Sequence, residues 1–478
     1  LKPKNVLELS HVNAIARPTA LAYEKPYIDN SAECPHPIFE SALNWTRNLP
    51  LYQEQTIMLV KALGFSDDES EQFRRVAAKK KTDEIKEWVD KINSNIKRKG
   101  LSEDITKFLL KLIGDSANYQ FNLAHSVSTS YLTALTVYLK YKYPLEFYWA
   151  CLNEVKEKPN SNELIGQIFS ELKQMGIELL SPNILKSETD FTIEKNGIRF
   201  GLGNLKGLGE KAINKLQEFK DEFQNPFEIF SGALESGLNF TSMSSLIQSG
   251  SMDDFIKNGR CYTVLELGLW KELTPRERKK ILIDQLGEKF NYDLVSIVKS
   301  LSKTENVELK PFIKESRLET LRKDFKPYND MYKLNIKNEP LANYMAEKTY
   351  LGYSYSQNLF NILKKEYYDL VSIYEAKTEL PEQKVTVGGE VLEYREGKSK
   401  NNNRYIKAKI SDSTGETDIM LMEKYFEKND EMNNGRKLQI GDIVCAIGRT
   451  SKDIIFCDRI VNQNVKIAHT PAQLKNIN

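Results

Sequence analysis

The sequence predicts a multidomain α+β fold: a helical first block, a tandem helix-hairpin-helix module and a C-terminal OB-fold β-barrel. Three observations predict it. Apolar residues recur at three- and four-residue spacing through most of residues 1–158, a Gly-apolar-Gly turn stands in GLGNLKGLGEKA, and alternating apolar and polar runs fill 381–466. With 478 residues, 40% of them apolar, the chain is too long for one core, so several domains are expected.

Taken in order, LYQEQTIMLVKALG, DDESEQFRRVAAKKK, TDEIKEWVDKINSNIKRKG and SVSTSYLTALTVYLKYKYPLEFYWACL carry helical spacing, which makes 1–158 a helical region. After the polar KEKPNSN, a helix in ELIGQIFSELKQMG leads through ELLSPNI to the strand-like FTIEKNGIRFGLG, where Asn196-Gly197 marks a hairpin. Residues 159–265 form the next module, with breaks at LKGLGEK and SLIQSGSMDDF. A charged helical connection, 266–380, shows no repeat. In 381–466 the runs KVTVGGEVLEYRE, RYIKAKISDST, TDIMLMEKYF, DIVCAIGRTS and DIIFCDRIV read as the five strands of a small barrel, and 467–478 is a tail.

The 68 Lys and Arg nearly balance 66 Asp and Glu, so the total charge points to no polyanion and basic patches must be sought locally. Five cysteines without CxxC spacing suggest neither a disulfide framework nor a zinc site, and reduced intracellular thiols are expected. No signal-peptide pattern or long apolar span is present, so a cytoplasmic chain without a membrane partner is expected. The first residue is Leu1, from which a processed, spliced or truncated product is expected.

Three segments point to chemistry. In GLGNLKGLGEKA, Gly207 and Gly209 can turn the chain so that amides at a helix N-terminus meet a phosphate, with Lys206 and Lys211 beside it. Such contacts hold nucleic acid without reading its sequence. LIQSGSMDDF is a second, weaker copy with Gly250 at its turn. A nucleotide-binding glycine loop and a plain tight turn are the other readings. The second segment places Arg74, Arg75, Lys79, Lys80 and Lys81 towards the end of one helix, where a solvated charged face is the bland reading. In the third, Tyr394, Arg395, Lys398, Lys400, Arg404, Tyr405 and Lys407 cluster on the first two barrel strands and their loop, a stacking and phosphate-holding set. A structural or protein-binding barrel is the alternative.

These segments in this order resemble the alpha subunit of bacterial DNA polymerase III. The resemblance is carried by ELSHVNAIARP, LYQEQTIMLVKALGF, EQFRRVAAKKK, YQFNLAHSVSTSYLTALTVYLKYKYPLEFYWACL, ELKQMGIELLSPNI, IRFGLGNLKGLGEKAI, LIQSGSMDDF, KTYLGYSYSQNL and VTVGGEVLEYRE. It implies that 1–158 is the fingers region. It further implies a nucleotide site in which Arg74, Arg75 and Lys79 face the triphosphate, built or supported by Arg17, Tyr52, Gln53, Asn122 and His125. Read alone, His125 is more often structural. The implied substrate is a dNTP, the implied cofactor of the complete polymerase is Mg²⁺, and the implied partners are primer-template DNA and single-stranded template.

Departures accompany the match. RPTA stands for RPGP, QFNLAH for GFNKSH and YSYSQ for LTxHP, which together suggest a divergent member, of phage origin for example. QLGEKF, Gln285 to Phe290, is a weak candidate for sliding-clamp binding. The family's catalytic aspartates lie in a palm upstream of the matched region, and neither Asp67-Asp68 nor Asp253-Asp254 sits on a strand of the required kind. No catalytic residue or metal ligand is therefore assigned here, and a palm-bearing polymerase fragment is expected as partner. The alternative from another class is a non-enzymatic DNA-binding accessory protein. Such a protein would have no use for cations facing a triphosphate.

Overall fold

Proline at 144 decides how the helical spacing of residues 126–152 is realised: the residue before a proline avoids the helical region, and one helix stops while another starts. The computed structural model describes residues 1–465 apart from 19, 80–81, 103, 117–120, 196, 220–222, 304–308, 310, 400 and 464, and the side chains of 78–79, 82–83, 113–116, 219 and 432 are also outside the description. Of the residues singled out above, the Lys79 side chain, Lys80, Lys81, Asn196, Lys400 and the tail 467–478 thus lie outside the described residues. Two compact units form, Leu1–Pro144 and Leu145–Asn478.

In the first unit, helix α1 (Val6–Ile15) starts where Asn5 caps the amide of Glu8 at 2.8 Å. Helix α2 (Gln53–Ala62) opens with a capping box in which the Tyr52 amide donates to Gln55 Oε1 at 2.9 Å. Three acids, Asp67, Asp68 and Glu69, open α3 (Asp67–Lys79), as its dipole favours. With α4 (Thr82–Arg98) and α5 (Asp104–Ser116), these helices close around Phe73, Trp88, Leu59, Ile92 and Leu109. A second core of Ala14, Ile15, Tyr27, Leu51, Tyr52 and Phe121 lies near the start of α6 (Leu123–Lys142).

The second unit begins in α7 (Pro144–Val155) and continues through α8 (Ser161–Gln174) into a small sheet. Strand β3 (Gly197–Arg199) lies at its centre, antiparallel to β2 (Thr192–Glu194) across the hairpin and parallel to β1 (Glu178–Leu180). Helices α9 (Glu210–Phe219), α10 (Pro226–Glu235), α11 (Phe240–Gln248), α12 (Arg260–Glu272), α13 (Glu315–Asn335) and α14 (Glu339–Leu351) follow, with shorter helices between α12 and α13. Their largest core side chains include Trp270, stacked on Phe227 at 5.0 Å.

The barrel comprises β5 (Lys384–Lys398), β6 (Arg404–Asp412), β7 (Gly415–Met422), β8 (Ile443–Ser451) and β9 (Ile454–Asn462), with helix α15 (Phe426–Met432) before β8 and the short β4 (Leu370–Val371) beside β5. β7 pairs parallel with β9, and β5 pairs with β8 to close the circle, the connectivity of an OB-type barrel. The architecture is α+β, mostly helical, as the sequence predicts. Among the described residues, no helix is long and apolar enough to cross a membrane.

Candidate nucleotide pocket and nucleic-acid surfaces

The first cluster is built where two loops of the first unit are laced together. The amide of Phe121 donates to the carbonyl of Leu51 at 3.1 Å, and the amide of Gln53 donates back to the carbonyl of Phe121 at 3.0 Å. This brings the start of α2 beside the start of α6. Glu54 accepts the Leu123 amide at 3.0 Å, while Asn122 caps α6 by accepting the His125 amide at 2.8 Å. Around Phe121 gather the Arg17 guanidinium, 4.9 Å from the ring centre, and the exposed imidazole of His125, 5.7 Å away. Arg74 reaches the same place, donating from Nη1 to Gln53 Oε1 at 3.1 Å.

Arg74 and Arg75 converge on one carboxylate. Glu71 accepts from Arg74 at 2.6 and 2.8 Å and from Arg75 at 2.9 Å. These bonds, Arg74 first, hold the Glu71 carboxyl down at about 2. Glu71 sets one negative charge against the two positive ones of Arg74 and Arg75, and Glu54 is a second acid acting on Arg74. A polyanion binding here would compete with Glu71 for both guanidinium groups. Helical spacing of three and four residues could have revealed this acid from the sequence. The Glu54 contact to α6, spanning 69 positions, could not be read that way.

Tyr52 occupies a different role in the geometry. It is fully buried, stacked on Trp45 at 5.5 Å and bonded through its hydroxyl to Ser10 Oγ at 2.9 Å. Nearby Gln55, equally buried, donates to the Ala42 carbonyl and to Thr46 Oγ1 at 2.9 and 2.7 Å. Both side chains support the loops from beneath.

In the second unit, Lys206, Gly207, Gly209 and Lys211 are all exposed around a single buried anchor, Leu208. Gly207 has φ of 91°, a conformation glycine adopts without strain, and a Cβ at Gly209 would meet nothing within 4 Å. The turn therefore presents bare backbone at the N-terminus of α9, whose first amides have no partner within the helix. Gly250 differs: it is buried, and a Cβ there would collide with the Tyr355 hydroxyl and the Arg260 guanidinium. That second turn faces a buried network in which Arg260 donates to Asp253 and Glu347.

The barrel residues divide between two faces because neighbours on a strand point oppositely. Tyr394, Glu396, Arg404 and Ile406 line a cavity of about 90 Å³ with Phe426 and Leu438. Arg404 lies 5.5 Å from the Phe426 ring centre. Arg395 and Lys407 form a cross-strand pair whose side chains point away from that cavity, as does Tyr405 opposite Gly397. A Cβ at Gly397 would strike the Tyr405 ring, so glycine lets the ring lie across the strand. Lys407 is ion-paired with Asp418.

Within Gln285–Phe290 the short helix Leu286–Lys289 forms with Leu286 fully buried, so that segment does not stand out as a free peptide. Among the described residues, no three His, Cys, Asp or Glu side chains converge to hold a metal ion. Asp67 pairs with Lys61 at 2.5 Å, Asp253 with Arg260, and Asp254 accepts from Asn183 at 2.9 Å. Asp67, Asp253 and Asp254, each engaged with a neighbouring side chain, therefore do not fit a Mg²⁺ site.

Comparisons with known proteins fall on the same segments. Residues 1–100 match the bacterial DNA polymerase III alpha subunit finger domain, and residues 176–261 match a helix-hairpin-helix motif. The DNA polymerase III subunit alpha of Bacillus subtilis is 32% identical over 270 residues, covering 54% of this chain and 24% of that protein. Its counterpart in Halalkalibacterium halodurans is 31% identical over 262 residues, 53% of this chain and 23% of the other. The Thermus aquaticus protein matches at 24% identity over 444 residues, 89% of this chain and 33% of its own length. The matches thus cover between 23% and 33% of these relatives.

Proposed function

Proceeding from homology to a portion of the bacterial DNA polymerase III alpha subunit, we propose that this chain holds an incoming dNTP and primer-template DNA for template-directed nucleotidyl transfer in the bacterial cytoplasm or an infected cell. One observation carries the reading: Arg17 and His125 lie against the Phe121 ring, Asn122 caps the helix beside it, and Arg74 is bonded to Gln53 and shares Glu71 with Arg75. Arg74 and Arg75 would leave Glu71 for the triphosphate oxygens and stabilise charge that spreads over them in transfer. Lys79 follows on the same helix.

The exposed Gly207-Gly209 turn, with Lys206 and Lys211, would grip duplex phosphates. Arg395, Tyr405 and Lys407 would hold single-stranded template on the outer barrel face, with Tyr394 and Arg404 at the cavity side. Metal-assisted chemistry is assigned to a palm-bearing polymerase portion acting with this chain. A sliding clamp is a further proposed partner.

The test is nucleotide use by the chain combined with that palm-bearing portion. Arg74→Ala and Arg75→Ala should each raise the dNTP concentration needed for half-maximal extension about tenfold or more while leaving DNA affinity within about twofold. Loss of DNA affinity with unchanged nucleotide dependence would refute the assignment.

A further inference from the structure

The second half of α6 is anomalous for a water-facing helix. Up to Ser130 it packs on α1: Ser126 donates to the Ser10 carbonyl at 2.8 Å, and Asn13 donates to Ser130 Oγ at 2.8 Å. From Tyr131 to Tyr143 not one residue is buried. Yet Tyr131 to Leu139 contains no charged side chain. Tyr131 is 61% exposed, Leu132 62%, Val137 61% and Tyr141 85%, and Leu135, Tyr138, Leu139 and Tyr143 are exposed with them. At 100° per residue these side chains point around well over half the circumference of the helix.

The rest of the circumference carries Thr133, Thr136 and Lys140, with Lys142 near the C-terminal end, and a helix with so wide an apolar face belongs against a larger body. At about 150–250 Å² per aromatic side chain and somewhat less per aliphatic one, the exposed apolar surface is on the order of 1,000 Å². That exceeds the largest patch usual on a free monomer, about 300–600 Å², and matches one partner's share of a standard interface, about 800 Å². A second copy crossing α6 about a two-fold axis would cover one side and leave the other wet. A concave partner covering several sides fits the distribution better. The relatives supply a source, since the matches account for 33% of their length or less.

We infer that residues 131–143 of α6 are the docking element for the palm-bearing portion of the polymerase, seated in an uncharged apolar groove on that portion. The inference rests on the polymerase reading above. Tyr hydroxyls at 131, 138, 141 and 143 would lie at the groove rim or bond to groups within it. The helix then ties the dNTP-facing cluster at its N-terminal end directly to the catalytic half.

The experiment uses the full chain and the palm-bearing portion as a separate chain, with sedimentation velocity for association and primer extension as a second readout. Leu135→Glu and Tyr138→Glu are combined in one variant; both positions are exposed, so its melting temperature should equal wild type. The expected result is a wild-type complex whose dissociation constant rises roughly a hundredfold or more in the variant, because two charges enter an apolar groove. Duplex binding by the variant alone should be unchanged. Equal association of variant and wild type, with extension intact in both, would overturn the docking element while leaving the polymerase reading standing. A wild-type chain that neither associates nor supports extension would overturn both, and a wild-type homodimer made monomeric by the double substitution would assign the surface to a second copy instead.

Discussion

Arg260 Nη1 lies 2.7 Å from Glu347 Oε1, with the arginine side chain 7% exposed and the glutamate wholly buried. Around this pair the YSYSQ segment folds inward: Ser354 and Ser356 hydroxyls and the Tyr355 and Ser356 amides all donate to Glu347. The segment that departs from the family pattern thus satisfies a buried carboxylate. Tyr355 of this segment and Arg260 together wall in Gly250.

Removing one member of such a pair leaves the other charged and unsolvated. Arg260→Ala should therefore destabilise the second unit by about 3–5 kcal/mol. Urea unfolding followed by circular dichroism would measure it. A loss below about 1 kcal/mol would mean that water reaches Glu347 or that its remaining donors suffice to satisfy it.

The exposed turn at Gly207 makes a prediction about salt. Lys206→Ala and Lys211→Ala should each lower the slope of log affinity for duplex DNA against log salt by about one, uniformly across sequences. Gly207→Val forces a β-branched residue into φ of 91° and should weaken duplex binding by about tenfold. Gly250→Ala should instead act on stability, because the buried turn has no room for a methyl group.

Much of this architecture was legible in the residues, for reasons specific to each element. Alternation between turn clusters gave the barrel strands, and the Gly-Leu-Gly turn gave the first hairpin, since both signals are local. The buried position of Gly250 is not legible in the sequence: its turn chemistry resembles the first copy, and the space before it is filled by Arg260 from the next helix and by Tyr355, distant in sequence. Tyr52 likewise carried a family resemblance but no sign that Trp45 and Ser10 would enclose it. In the sequence the barrel set forms one cluster, whereas strand alternation sends Tyr394 and Arg404 to a cavity and Arg395, Tyr405 and Lys407 away from it.

Glu71 should act as a gate on the two arginines. Replacing it by glutamine removes the competing anion and keeps the side chain's length, so Glu71→Gln should tighten triphosphate binding several-fold in the assembled enzyme. Equilibrium binding of a non-hydrolysable dNTP would measure this. Weaker binding would show that Glu71 is needed to hold the guanidinium groups in place.

Acid should loosen the first unit through His11. Burial above all, with Arg47 adding to it and Glu8 opposing, holds the imidazole at about 4, against an ordinary value of 6.5. The unfolded chain therefore gains a proton as pH falls from 6.5 towards 4 while the folded chain does not, so stability is full above 6.5 and declines through that window. The melting temperature should fall between pH 7 and 5, and less steeply in His11→Gln. Equal slopes would show that His11 protonates in place, with its buried Nε2 finding an acceptor.

The central claim is that this chain holds nucleotide and DNA for chemistry carried out by a palm elsewhere. Primer extension with Mg²⁺ and all four deoxynucleotides tests it most directly, with the chain alone, the palm-bearing portion alone, and the two mixed. The account predicts extension in the mixture, and its loss when Arg74 and Arg75 are both replaced by alanine. Extension by this chain alone would contradict it, because the catalytic carboxylates would then have to lie within this chain.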